Sequence, residues 1–202
     1  MIDLKKLLTA CGAVLLIAAV VLCLYNVVDS GRAGAQAEAA QISLSAYIDA
    51  IPARDDTAET PTFPGEEPPV TAVDEIEYIG VLELPDLGLT LPVVSCWNYD
   101  LLQVAPCRYS GSPYDDSLVI CAHNYSTHFG RIGELTVGAE AKFTDMNGRV
   151  FAYRLAEQEV VDPNEGGKMT DSGYALTLFT CNWNGTQRVT LRFDRAENNA
   201  SM

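Results

Sequence analysis

The sequence predicts a mainly β domain, a barrel or a sandwich, standing behind a single membrane-crossing helix. Three features carry that expectation. Between residues 76 and 195, short runs rich in Val, Ile, Leu, Thr, Phe and Tyr are separated by Gly, Pro and Asn turns. In the last of these runs Val189, Leu191 and Phe193 alternate with Arg188, Thr190 and Arg192, the period of a strand with one apolar face. Ahead of them all, residues 7–28 run 22 positions without a charged side chain. At about 1.5 Å per residue such a run spans a bilayer's hydrocarbon core.

Taken in order, residues 1–6 carry Lys5 and Lys6, which places this end in the cytoplasm and everything after residue 28 outside the cell. A cleaved signal peptide is the alternative, because Ala33-Gly34-Ala35 fits a small-x-small cleavage site. The apolar run is longer than a usual signal core of about 7–15 residues, which favours a retained single-pass anchor. Residues 29–75 form the expected extracellular linker: Ala- and Gly-rich over 31–41, with a short helix over 42–51, then dense in Pro, Thr, Asp and Glu. Proline stiffness and like-charge repulsion make such a segment a semi-rigid spacer. Within the domain, strands are expected over 78–84, 89–94, 117–122, 141–144, 150–155, 175–180 and 188–193. Asn147-Gly148 is the hairpin turn between the fourth and fifth. Residues 196–202 are a tail, and no repeat is evident.

With 13 basic and 27 acidic residues the formal net charge is −14, which argues against a nucleic-acid surface, since that needs a basic patch or stripe. Of six cysteines, Cys11 and Cys23 lie in the apolar run. No two of the six have Cys-x-x-Cys spacing, so a zinc or redox motif has no support. The spacing of Cys96 and Cys107 leaves a disulfide open without establishing its geometry. Cys121, inside an apolar run, is expected to pack as a small hydrophobe.

The chemistry gathers at three strand ends. The run 175–181 ends in Thr180-Cys181, the loop Asn-Trp-Asn-Gly-Thr-Gln follows, and Arg188 opens the next run. If the two runs form a hairpin, Cys181 and Arg188 lie opposite each other at its loop end, within side-chain reach. His123 follows another apolar run ending at a strand-to-loop junction, and only His128 joins it among the histidines. A cysteine nucleophile needs a partner for its proton and a donor where the oxyanion develops. His123, Cys181 and Arg188 can supply those parts.

At these residues the chain resembles the sortases, cysteine transpeptidases of Gram-positive bacterial surfaces. Thr177-Leu178-Phe179-Thr180-Cys181 is close to the family's T-L-x-T-C, with an arginine opening the next strand. His123-Asn124 stands 58 residues upstream, in the family's order of His, Cys, Arg. Residues 78–85 and 91–93 resemble its opening strands, and the likeness covers 76–195 as a catalytic domain. The resemblance implies an eight-stranded β-barrel with short helices. It implies Cys181 as nucleophile, His123 as general acid and base, and Arg188 as oxyanion or backbone stabiliser. Thr180 and Asn124 beside them are the expected substrate-binding residues.

The implied reaction cleaves an LPxTG-like sorting signal of a surface protein or pilin through a thioacyl intermediate. The acyl group then passes to an amine of the cell wall or a pilin lysine. No cofactor is expected. Asp115-Asp116 and Glu157/Glu159 carry enough carboxylate for a calcium site like those of some sortases, but read more simply as solvated acidic surface, as do Arg192 and Arg195. His128 reads as structural or as part of the cleft rim, since no third ligand accompanies the His123/His128 pair. The short interval between residues 155 and 175 disfavours the class B sortases, which carry a long helical insertion there. The Asp-Pro-aromatic lid sequence of some pilus-type sortases is absent. The rivals are a purely hydrolytic cysteine peptidase of the same fold and a non-enzymatic tethered β domain. The chain order of His before Cys runs against papain-like enzymes, and the L,D-transpeptidase pattern Ser-His-Gly-Cys is missing.

Overall fold

The structure is a computed structural model that describes residues 4–51, 66–182 and 184–196. The Pro-rich part of the linker from 52 to 65 and the tail from 197 lie outside the described residues.

Among the described residues nine strands form the sheet: β1 Thr71–Val73, β2 Ile76–Leu84, β3 Leu89–Val94, β4 Cys107–Ser110, β5 Leu118–Cys121, β6 Glu140–Asp145, β7 Val150–Val161, β8 Leu176–Cys181 and β9 Arg188–Arg195. Their order is β1-β2-β3-β4-β5-β8-β9-β7-β6, and β6 pairs back onto β2. The ring from β2 round to β6 is therefore a closed eight-stranded barrel, with β1 an extra strand on β2. Closure leaves the ring without a free sheet edge. Two pairings are parallel, β3 with β4 and β5 with β8. The expected barrel is present.

The hairpin turn at Asn147-Gly148 is present as well. Gly148 has a φ of 75°, and the buried Asp145 carboxylate accepts from the backbone N–H groups of Asn147 and Arg149, each at 2.8 Å. Tyr114 donates its hydroxyl to the same carboxylate at 2.6 Å.

The core has two parts. Ile79, Leu82, Leu118, Ile120, Phe143, Leu178, Leu191 and Phe193 fill the barrel. Tyr78, Val81, Val94 and Cys107 face outward and would be in water without a cover. Helix α1 (Leu4–Asp49) provides that cover. Its Ala37, Ala40 and Leu44 recur at helical spacing and are buried against this outer face, and Ala33 is buried a turn earlier beside His128. Small alanines let the helix approach closely, and full burial of Leu44 contributes about 2 kcal/mol.

The linker expectation changes here. The helix does not end near residue 28 but continues unbroken to Asp49, so 29–49 is a docked brace where the sequence predicts spacer. Its first part, Lys5 to Val28, is exposed throughout, and the helix is long and apolar enough to cross a membrane.

Three further differences have physical causes. Strand β4 was hidden because Cys-Arg-Tyr-Ser lies between Pro106 and Gly111 and is only four residues long. Strand β7 runs six residues past 155, through polar Glu157 and Glu159, because a register shift between Leu155 and Glu157 lets it stay paired with β9.

Arg192 is buried and Arg195 only partly exposed, where the sequence reads both as solvated. The single-turn helix α3 (Gly167–Thr170) in the β7–β8 connection covers the polar face of β9. Arg192 is 2% exposed there, donating to Glu159 Oε1, Thr177 Oγ1 and the Lys168 carbonyl. Arg195 stacks over the rings of Phe151 and Tyr153 and pairs with Asp116. A second single-turn helix, α2 (Tyr99–Leu102), is capped by the Asn98 side chain, which accepts from Leu101 N–H at 2.8 Å.

Candidate active site

The site is built by the parallel pairing of β5 with β8. Cys121 lies opposite Phe179, so the chain two positions further along each strand delivers His123 and Cys181 to the same end of the barrel. The pairing outlasts the strands themselves. Ala122 N–H donates to the Phe179 carbonyl at 3.2 Å, and the Thr180 hydroxyl returns a bond to the Ala122 carbonyl at 2.9 Å. Thr180 is thus a buried clamp between the two strand ends. Asn124 reaches across from the histidine side, its Nδ2 donating to the Asn182 carbonyl at 3.5 Å.

The antiparallel β8–β9 hairpin sets the third residue. Cys181 and Arg188 are a cross-strand pair in register. Asn182 ties off the loop, donating its N–H to the Gln187 carbonyl at 2.9 Å and accepting from Gln187 N–H at 3.1 Å. Arg188 directs Nη1 to the carbonyls of Gly185 and Gln187, both at 3.2 Å, which keeps its guanidinium on the loop side of the thiol.

Cys181, His123, Arg188 and Thr180 line one cleft of about 210 Å³. Its far wall is aromatic. Trp97 stacks on Tyr109 with centroids 5.5 Å apart, and Tyr109 meets Phe179 edge to face at 5.2 Å. Asp162 and Met169 from the β7–β8 connection close the other side. Such a groove, apolar with a few convergent polar groups, suits an extended peptide segment.

His123 is half-buried. Desolvation holds its imidazole below the usual histidine range, and the carboxylate of Asp29 opposes that shift. The loop after it is tightly folded: Phe129 N–H donates to the His123 carbonyl at 3.2 Å and Gly130 N–H to the Tyr125 carbonyl at 2.8 Å. A side chain on Gly130 would put its Cβ 2.5 Å from the Asn124 carbonyl oxygen. His128 lies beneath, fully buried beside the Ala33 backbone, with neither ring nitrogen in good hydrogen-bond geometry among the described residues. It is structural and belongs to the helix interface, with no place on the cleft rim.

The six cysteines are all free. Cys96 is exposed while Cys107 is buried, opposite Cys121 on the neighbouring strand. Burial pushes the Cys121 thiol up to about 12 and that of Cys107 higher still. Among the described residues no group of three or more His, Cys, Asp or Glu side chains is placed to hold a metal ion. The carboxylates that suggest calcium from sequence are engaged separately, Asp116 with Arg195, Glu159 with Arg192, and Glu157 with the Tyr174 hydroxyl.

Residues 82–195, more than half of the chain, match the family model described as Sortase domain. The chain belongs to the sortase family. It is 30% identical over 107 residues to Sortase D of Bacillus subtilis (strain 168), a match covering 50% of this chain and 53% of that protein. This sortase therefore spans about half the length of the curated relative it matches. Its fold is similar to that of a Clostridium perfringens Sortase D5 transpeptidase, with a TM-score of 0.54 and 20% identity over 59% of this chain and 79% of that one. Sortase C1 from Streptococcus agalactiae aligns with a TM-score of 0.55 and 23% identity, over 63% and 72% of the two chains. At these identities the structural matches speak for the fold.

The sortase's surroundings of His123 include residues that its sequence does not flag. Tyr125 and Asp29 meet only because helix α1 folds back on the barrel, and the aromatic wall joins residues from three separate segments. Asp29 has one legible mark, as the first charged residue after the apolar run.

Proposed function

We propose that this sortase is a membrane-anchored cysteine transpeptidase that cleaves an LPxTG-like sorting signal and passes the acyl group to an amine. The observation that carries the reading is the meeting of Cys181, His123 and Arg188 on one cleft at the ends of three adjacent strands. Helix α1 anchors the chain with Lys5 and Lys6 in the cytoplasm, so that the barrel works on the extracellular face.

The Cys181 proton passes to the imidazole of His123, and the thiolate sulfur attacks the scissile carbonyl carbon. Arg188 swings from the loop carbonyls toward the negative oxygen that develops. As the tetrahedral centre collapses, the C–N bond breaks and the imidazolium gives its proton to the departing amine. A second amine then attacks the thioacyl carbon, losing its proton to the now neutral imidazole. The C–S bond breaks, and the imidazolium returns its proton to the departing sulfur, restoring the thiol and the neutral imidazole. The donor is a surface protein or pilin bearing the signal, and the acceptor is an amine of the cell-wall peptide or a pilin lysine.

The test is mass spectrometry of the full chain in detergent micelles, incubated with Leu-Pro-x-Thr-type peptides and oligoglycine. A covalent adduct on Cys181, discharged by the amine to give a ligated peptide and absent from Cys181→Ala, is the expected result. Adduct formation followed by hydrolysis only, with no amine-dependent product, would overturn transpeptidation in favour of a peptidase. Full signal-processing activity in Cys181→Ala would overturn cysteine catalysis altogether.

A further inference from the structure

Helix α1 touches the barrel at the first charged position after its apolar run. Asp29 Oδ2 accepts a 2.6 Å hydrogen bond from the Tyr125 hydroxyl. One residue on, the Ser30 carbonyl accepts from Thr127 Oγ1 at 3.2 Å. The Ser30 and Ser126 hydroxyls lie 3.5 Å apart. A turn later the helix presents Gly34, where any Cβ would stand 2.8 Å from Thr127 Cγ2. These contacts fall on residues 125–127, two to four positions past His123. Their loop is closed by its own backbone bonds from Phe129 to His123 and from Gly130 to Tyr125, so it moves as a unit. The Tyr125 ring packs on the His123 ring, centroids 5.0 Å apart.

We propose that Asp29 and Tyr125 are positioning residues for His123, by which the membrane-proximal turn of helix α1 fixes the place and electrostatic setting of the imidazole. The proposal rests on reading His123 as the proton-transfer residue. The groups around that imidazole are Asp29 from the helix, Tyr125 and His128 from its own loop, Cys181 and Arg188 across the cleft, and Asp162 on the rim. Asp29 is the anion that reaches the histidine loop by a direct hydrogen bond. Its charge favours the imidazolium, against the desolvation that disfavours it. The hydroxyl of Tyr125 is spent on this contact. Burial and the Asp29 carboxylate together push it up to about 12, so it remains a donor throughout the range in which a histidine titrates. Since the contact joins the helix to the catalytic loop, loosening the helix from the barrel changes His123 without touching the cleft.

The measurement is an NMR titration of the full chain in detergent micelles with labelled histidine. There are only two imidazole signals, and His128→Phe assigns them. Asp29→Asn should lower the His123 midpoint measurably, and Asp29→Glu should restore it. Tyr125→Phe and Gly34→Leu, which break the dock by different means, should also move it. With peptide and amine, kcat should fall about 10-fold in Tyr125→Phe with KM little changed, and the acid limb of the pH profile should follow the NMR midpoint.

A His123 midpoint that stays at its original pH in both Asp29→Asn and Tyr125→Phe overturns the proposal. So does a loss of activity that Asp29→Glu fails to rescue. Midpoints that shift as expected in a chain that forms no adduct at Cys181 support the dock and sink the catalytic reading of His123 instead, which keeps the two failures apart.

Discussion

Acidification should loosen this barrel through one residue, His128. The imidazole is fully buried between the Tyr125 ring and helix α1, neither nitrogen is hydrogen-bonded, and the Ala33 carbonyl nearby gives only weak compensation. Burial, reinforced by the neighbouring His123, lowers its pKa from 6.5 to about 4. Because the folded-state value is depressed, the unfolded chain takes up the proton first as pH falls. Stability is therefore intact above about 6.5, is lost progressively as pH drops toward about 4, and is not lost further through this group below that. At about 1.4 kcal/mol per pH unit the full loss is about 3 kcal/mol. Carboxylates titrate in the same window, so the assay must be a difference. Urea unfolding of the full chain in micelles, followed by tryptophan emission, is measured at pH 7 and pH 4 for the natural chain and for His128→Phe. Phenylalanine keeps a ring of similar size and gives up only the weak Ala33 contact. The natural chain should lose about 3 kcal/mol more than the variant between the two pH values. Equal losses would refute the claim that His128 is buried in its neutral form.

Three other outcomes follow from the same contacts. Arg192→Met should destabilise the barrel by about 2–3 kcal/mol in urea unfolding, because it strips partners from Thr177 and the Lys168 carbonyl while Glu159 keeps access to water. Gly130→Ala should cut kcat/KM at least about 10-fold while leaving most of the stability, since its Cβ would meet the carbonyls of Asn124 and Tyr125 and must displace the loop that carries His123. Brief iodoacetamide treatment, mapped by peptide mass spectrometry, should label Cys181 and exposed Cys96 in the folded barrel and spare buried Cys107 and Cys121.

What was legible followed from local pattern. Alternation in 188–193 and the turn at Asn147-Gly148 mark their elements because each is a short-range signal with one structural solution. The Cys181–Arg188 pair was legible for the same reason, since a hairpin's register follows from its loop. The meeting of His123 with Cys181 was not deducible from spacing, because parallel pairing joins distant segments; the motif resemblance supplied it. Helix α1 misled for a related reason. Ala37 and Ala40 look like linker composition until the outward-facing Tyr78, Val81 and Val94 need a cover. Arg192 was misread because strand periodicity identifies two faces but not what lies over each, and the cover came from four residues of α3.

On the proposed reading, the half-burial of His123 has a consequence for the order of proton transfers. An imidazole held below its usual pKa is mostly neutral near pH 7, which is the form that accepts the proton from Cys181 and later from the incoming amine. The imidazolium formed in between is, for the same reason, a stronger acid than a solvated one. It therefore surrenders its proton more readily to the departing amine, which cannot leave without it. Too much desolvation would spoil the first step by making the imidazole too weak a base, and too little would slow the second. Asp29 acts against desolvation from outside the cleft, so the balance between the two steps is set where helix α1 leaves the membrane. A variant without that carboxylate should accordingly take the proton from Cys181 less readily, and the adduct on Cys181 should form more slowly in a single turnover.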